Sequence, residues 1–377
     1  MKKSFVTPLD GWLLLIIMAL VGLGSVVLFS ASFGRGEHYY HNPYYYFQAH
    51  LRNLLVGGIL MLILSQFPYQ RLLKLSWPIG GLAVLMLLAV LHPAFYKATL
   101  GSGRWLKHVP FQPSEAAKLA AVIMLARYFA RIGDLKTRFW HGFAVPCLVI
   151  VLFGGLIVCE KDLGGALVVF GVVLCLMISA GVRGRHLSWF LALAPAIWAL
   201  IFFYKHRVSR FLGWDNPWLY PRHEGYSIIH SFYAFAEGGL AGTGIGQGQQ
   251  KMFFLPMAHT DYIFSILGEE LGLIGVAGVA ALFILFASRG LSIAMAARTP
   301  GGRHLAVGAV LIIMVPAVIN MMVALSIIPA KGLPLPFFSY GGSSMAVSLA
   351  SLGILLNIAG QALKESEPPL VVNPYDR

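Results

Sequence analysis

Ten separate runs of roughly twenty mainly apolar residues leave this chain of 377 residues few ways to fold. A run of that length, coiled as an α-helix, matches the hydrocarbon thickness of a bilayer, whereas soluble cores use shorter, patterned segments. Only 11% of the residues are charged, against about 25% in a soluble domain. The sequence is therefore read as an all-α polytopic membrane protein with one transmembrane domain over 1–377. The expected spans are Gly11–Ser32, Leu51–Phe67, Leu75–Phe95, Gln112–Ala130, His141–Cys159, Leu163–Gly181, Leu187–Tyr204, Tyr262–Phe286, Leu305–Ile328 and Ser343–Leu363. Glu115, Lys118 and Arg127 interrupt the fourth.

Met1-Lys2-Lys3 before a long apolar run suggests a signal peptide, and Ser30-Ala31-Ser32 resembles a cleavage site. The run exceeds the usual 7–15 residues, so an uncleaved anchor is expected. With the amino terminus in the cytoplasm, the internal segments hold 15 Lys/Arg and the external ones 13. Five of those 13 (Lys205, Arg207, Arg210, Arg222, Lys251) share one loop, so the rest follow the positive-inside rule. Ten spans return the 364–377 tail to the cytoplasm. The net charge of +13 is scattered between apolar runs, which points to topology rather than to nucleic acid. Cys147, Cys159 and Cys175 lie inside apolar runs without a C-x-x-C pair.

The 205–261 connection between the seventh and eighth spans is a long external loop, 57 residues if counted from Lys205 to Asp261. Structureless loops rarely exceed about 15 residues, so it is expected to be a functional element or a small substructure. Its Trp214, Trp218, Tyr220, Tyr226, Phe232 and Tyr233 suit a membrane interface, and a helix is expected over Gly225–Ala236.

Ionisable residues in or beside spans are costly and mark function or a satisfied pair. Three groups qualify. In the first, Gly103-Arg104-Trp105 precedes Gln112-Pro113-Ser114-Glu115 and Lys118; Pro113 reads as a helix start, and Glu115 and Lys118 share a face. Either that pair neutralises itself, or Arg104 and Lys118 hold an anion such as a diphosphate, with Trp105 as an interface anchor or a platform for a sugar. In the second, His259-Thr260-Asp261 runs into a span that carries Glu269-Glu270. Asp261 is open to three roles: general base, metal ligand with His259, or helix cap. Glu269 and Glu270 point about a third of a turn apart and cannot share one cavity. In the third, Lys331-Gly332-Leu333-Pro334-Leu335-Pro336 through Ser339-Tyr340-Gly341-Gly342-Ser343-Ser344 must be non-helical, which a membrane protein tolerates only when the segment is covered or lines a watery cavity. Gly242-Thr243-Gly244-Ile245-Gly246 lacks a strand-turn-helix context and reads as turn glycines.

Together the three groups resemble the SEDS family of bacterial cell-wall proteins (shape, elongation, division, sporulation) in stretches such as Gln112-Pro113-Ser114-Glu115-Ala116-Ala117-Lys118, Ala258-His259-Thr260-Asp261-Tyr262 and Lys331-Gly332-Leu333-Pro334-Leu335-Pro336. The resemblance implies a ten-helix peptidoglycan glycosyltransferase that polymerises lipid II into a growing glycan strand on the outer face of the cytoplasmic (inner) membrane. It would work beside a class B penicillin-binding protein and other division or elongation proteins. Asp261 would be catalytic; Arg104, Trp105, Glu115, Lys118, His259 and Lys331 would bind substrate. No cofactor is fixed, and a divalent cation (Mg²⁺ or Mn²⁺) could assist. Tyr262 stands where many members have Phe, and Met257 where many division members have Glu. A lipid II flippase and a pure scaffold are the competing classes. The loop wording around Gln249–Gly275 and Ile328–Gly332 looks division-type, hence septal, although Pro334 is shared with elongation-type members.

Overall fold

The computed structural model describes residues 10–92, 95–99, 102–107, 111–190, 192 and 211–364. The helices are α1 (Gly11–Tyr40), α2 (Tyr45–Gln66), α3 (Ser76–Leu91), α4 (Pro113–Ile132), α5 (Trp140–Cys159), α6 (Leu163–Ala180), α7 (Tyr226–Gly238), α8 (Ile263–Ala296), α9 (Pro300–Ala324) and α10 (Gly342–Lys364). A short helix, Tyr69–Lys74, joins α2 to α3. Seven of these (α1, α2, α5, α6, α8, α9, α10) are long and apolar enough to cross a membrane. Helix α3 is apolar but only 16 residues long, and α4 keeps the buried Glu115 and Lys118 in its first two turns. The expected span Leu187–Tyr204 lies almost wholly outside the described residues, as do Met1–Lys3, Lys205, Arg207, Arg210 and residues 365–377.

Helix α1 runs on through Ser30-Ala31-Ser32, all buried, and ends where His41 turns left-handed. Beyond the apolar run its last turns are mostly exposed, with Gly36 buried. Of the apolar stretches, 78% of α10 and 56% of α9 is buried but only 11% of α2, so α9 and α10 form the centre and α2 the lipid-facing rim. Buried Asn357 fastens α10 to that rim: its Oδ1 accepts the Tyr69 N–H at 3.0 Å and its Nδ2 donates to the Ser65 carbonyl at 2.8 Å. Those are groups the end of α2 and the start of the next helix leave unpaired. In α5 the coil widens to π-turns at Trp140–Ala144 and Ile150–Gly154, on either side of Pro146, which has no N–H to donate.

Between the third and fourth expected spans, β1 (Tyr96–Thr99) and β2 (Ser102–Leu106) form a two-stranded antiparallel ribbon. The long connection also has structure. Helix α7 covers the expected helix, and the turn glycines Gly242, Gly244 and Gly246 all have positive φ. Their purpose is visible in α8, which breaks at Gly272 (φ 64°). The break would leave helix amides and carbonyls unpaired, and the 239–244 segment supplies the partners. Leu273 and Ile274 donate to the carbonyls of Gly239 and Leu240, while Thr243 and Gly244 donate to those of Glu269 and Glu270. Gly272 is needed for space as well as for φ, since a Cβ there would clash with the Gly242 nitrogen. A helix break inside a membrane bundle persists only with its polar backbone satisfied in this way.

Candidate functional site

Helix α8 starts at Ile263 with Tyr262 as its N-cap residue, whose side chain makes no cap bond. Asp261, half-buried, therefore sits one step before the cap, in a turn whose amides at 260 and 261 donate to the Met257 carbonyl at 3.0 Å. The Asp261 carboxylate lies over Gly332: a Cβ added there would meet Asp261 Oδ2 at 2.9 Å. The non-helical 325–341 segment is thus folded against this turn, and four further bonds hold it there. Asn320 of α9, 1% exposed, donates from one Nδ2 to the Asp261 carbonyl at 2.8 Å and to the Leu333 carbonyl at 2.7 Å. Tyr340 N–H donates to the His259 carbonyl at 3.0 Å, and Ser339 Oγ donates to the Thr260 carbonyl.

On its other side the same loop meets the start of α6, where a Cβ on Gly164 would touch the Leu333 side chain at 3.0 Å and the Gly332 carbonyl at 3.3 Å. The turn before it, Glu160-Lys161-Asp162, receives Arg104. Its Nη2 donates to the Lys161 carbonyl at 2.6 Å and its Nη1 lies 3.9 Å from Asp162 Oδ1. Lys161 is held at φ 63°, a costly conformation for a non-glycine residue. Asp162 caps α6 through Gly165 N–H at 3.1 Å and accepts Gln112 Nε2 at 3.2 Å. The Gln112 N–H donates to Ser343 Oγ at 2.8 Å, so the starts of α4, α6 and α10 are tied at one point. Gly332 therefore stands between Asp261 and the turn that carries Arg104.

Glu115 and Lys118 form a buried ion pair at 2.7 Å, with side chains 9% and 4% exposed. Trp105 follows Arg104 on β2, opposite Lys97, and is half-buried. Lys331 is half-buried, its carbonyl accepting the Leu333 N–H at 2.9 Å. His259 is buried with its ring 4.7 Å from that of Tyr46 and its Nδ1 without a hydrogen-bond partner. Burial, and then the Arg35 charge, push its pKa down to about 4, so it is neutral at physiological pH and offers no cation to an anion.

Two residues here escaped the sequence reading, and a third, Gln112, was read only as part of a motif. Asn320 gave no signal stronger than a polar letter in an apolar run. Glu160 had one available: a carboxylate between two apolar runs. It is 3% exposed and neither oxygen has a hydrogen-bond partner. Burial first, then the Asp162 charge, push its pKa up to about 8, Arg104 pulling the other way. Glu269 and Glu270, by contrast, are taken up by the long connection. Glu269 accepts the N–H groups of Gln249 and Gln250, the latter at 3.0 Å, and Glu270 pairs with Lys251 at 2.5 Å. Lys251, expected as a scattered loop charge, is thus a buried partner. Among the described residues no three His, Cys, Asp or Glu side chains gather to hold a metal ion.

The fold and the site define a class: a polytopic helical membrane protein whose bundle brings a carboxylate and an arginine-bearing turn to opposite sides of one glycine. Over residues 11–364 the sequence matches the FtsW/RodA/SpoVE cell cycle protein model, and the chain belongs to that family. It is 37% identical over 350 residues to the probable peptidoglycan glycosyltransferase FtsW of Geobacter metallireducens, covering 92% of this chain and 93% of the relative. Identity to the protein of the same name from Coxiella burnetii is 34% over 365 residues, 95% and 98% of the two chains. Among solved structures, a chain from a peptidoglycan synthase complex that coordinates polymerization and crosslinking superposes with a TM-score of 0.78 at 29% identity, covering 94% and 98%. The Asp-to-Ala mutant of the Rod shape determining protein RodA of Thermus thermophilus superposes with a TM-score of 0.70 at 28% identity, covering 96% and 99%. The activity is that of a peptidoglycan glycosyltransferase.

Proposed function

We propose that the chain polymerises lipid II into glycan strands on the outer face of the cytoplasmic membrane, during septal synthesis. The observation that carries this is the placement of the Asp261 carboxylate and the Arg104 turn on two sides of Gly332. An acceptor sugar hydroxyl attacks the anomeric carbon of the donor; the new C–O bond forms as the bond to undecaprenyl diphosphate breaks. Asp261 takes the hydroxyl proton, and the electron pair leaves on the diphosphate. Arg104, a third exposed, is the principal contact for that charge. Lys118 is neutralised by Glu115 and adds to the field as half of an oriented dipole rather than as a free cation. Trp105 offers a platform beside Arg104, His259 shapes the wall with Tyr46 and Tyr340, and Lys331 flanks Gly332.

The supporting frame is ten spans with both termini in the cytoplasm, the 205–261 connection outside and the 364–377 tail inside. The partner is a class B penicillin-binding protein, a reading supported by the likeness to a chain of a complex that coordinates polymerization with crosslinking. Septal rather than side-wall work follows the FtsW naming of the relatives. The test is polymerisation of labelled lipid II by the purified protein with its partner. Asp261→Asn keeps size and polarity and removes the base, so glycan synthesis falls by about 10²- to 10⁴-fold while partner binding is retained. Near-normal synthesis by the folded variant sinks the assignment. Depletion in cells gives unseptated filaments; rounded cells with intact septa would move the protein to elongation and leave the chemistry standing.

A further inference from the structure

We propose that a cleft between α3, α4 and α5 binds an anionic phospholipid, headgroup on Arg131 and acyl chain in the groove. The cleft lies away from Asp261. Helix α4 begins beside Asp162 and Ser343, and its 20 residues carry the chain about 30 Å to its other end. There Arg127 and Arg131, four apart and so on one face, border a cleft of about 120 Å³ whose other walls are Trp77, Met124, Tyr128 and Val149.

The polar groups at this cleft are unevenly committed. Arg127 is tied inward, its Nη1 donating to the Leu73 carbonyl at 2.9 Å, to the Lys74 carbonyl and to Ser76 Oγ. The Tyr128 hydroxyl donates to the His141 carbonyl at 3.0 Å. Arg131 is exposed and makes no hydrogen bond or ion pair among the described residues. The connections beside the cleft, 67–75 and 131–139, carry Arg71, Lys74, Arg131, Lys136 and Arg138 against Asp134 alone. The floor is apolar and runs into exposed faces of α3 and α5, at Leu82 and Leu85 and at Leu148 and Val151. Trp77 and Trp140, 66% and 73% exposed, mark the level of the membrane interface.

An excess of basic groups at the interface, above an apolar groove that opens to lipid, matches a negative headgroup with its chain attached. A zwitterionic lipid would satisfy the groove and not the charge; a soluble anion would satisfy the charge and not the groove.

Native mass spectrometry of the full chain, incubated with equal amounts of dioleoyl phosphatidylglycerol and dioleoyl phosphatidylcholine, reads the preference directly. Phosphatidylglycerol is expected to be retained over phosphatidylcholine. Arg131→Gln should lower its retention about fivefold, and Val149→Trp, which fills the groove, should lower it as well. Arg183→Gln, an exposed change outside the cleft, should leave it unchanged. Equal retention of the two lipids, or equal effects of Arg131→Gln and Arg183→Gln, overturns the proposal.

Discussion

Glu270 and Glu160 are both carboxylates withdrawn from solvent, 1% and 3% exposed, and the protein treats them in opposite ways. Around Glu270 the cluster is closed in charge: Lys251 Nζ lies 2.5 Å from Oε1, Ser30 Oγ donates to the same oxygen at 2.6 Å, and Lys251 also donates to Ser30 at 2.7 Å, while Oε2 has no hydrogen-bond partner. One charge is set against another, and three elements, α1, α8 and the long connection, are joined. Around Glu160 the cluster is open: neither oxygen has a hydrogen-bond partner, Asp162 adds like charge, and Arg104 is committed to the neighbouring carbonyl. A buried carboxylate set against an ammonium joins the elements that carry the two; a buried carboxyl left without a partner has the free energy of its ionised form raised. The difference is one of charge pairing, closed at Glu270 and open at Glu160.

The largest effect expected is at the closed cluster. Lys251→Met strands a buried charge and should cost about 3–5 kcal/mol, read as a fall in melting temperature in detergent. Combining it with Glu270→Gln should restore most of the loss. If the single variant melts like the parent, the cluster is not a structural joint.

Gly332→Ala addresses the other side of the contrast. The added methyl would contact Asp261 Oδ2 and displace the carboxylate, so polymerisation should fall about 10- to 100-fold with the melting temperature little changed. An unaltered rate would show that the position of Asp261 is not set by this contact.

Asn320→Leu removes the Nδ2 donor that the Asp261 and Leu333 carbonyls share. About 1–3 kcal/mol of stability should be lost, with a lower turnover in the protein that remains folded. Stability lost without any change in turnover would make Asn320 a strut and nothing more.

The last effect is a slope. Glu160 binds a proton in the fold up to about pH 8, whereas an unfolded carboxyl releases it near 4.5. Between those values the folded state holds the extra proton, so stability falls as pH rises through that window and is level above it. His259, displaced to about 4 from 6.5, has the opposite sign: the unfolded state takes up the extra proton, and stability is lost as pH falls from 6.5 to 4. Glu160→Gln should remove the fall between pH 6.5 and 8 and leave the opposing His259 slope uncovered below pH 6.5, read in melting curves from pH 5 to 9. An unchanged slope would mean that Glu160 is ionised and paired, and the open cluster would be no different from the closed one.

Much of this was written locally in the chain. Apolar runs of bilayer length set the helices, Pro113 the start of α4, and the glycines at 242, 244 and 246 the turns, because each depends on neighbours a few residues away. Hydropathy could not show that Lys251, from a polar loop, would lie buried against Glu270, or that Asn320 and Gln112 would hold together turns distant in the sequence. Nor could it show that residues 239–244 would complete the hydrogen bonds of a helix broken at Gly272. Those outcomes depend on which helices pack in the centre and how closely glycines let them approach. The residue types at the site were therefore legible, while the choice of which carboxylates are paired and which stand ready was made by tertiary packing, where burial sets the cost of every charge left alone.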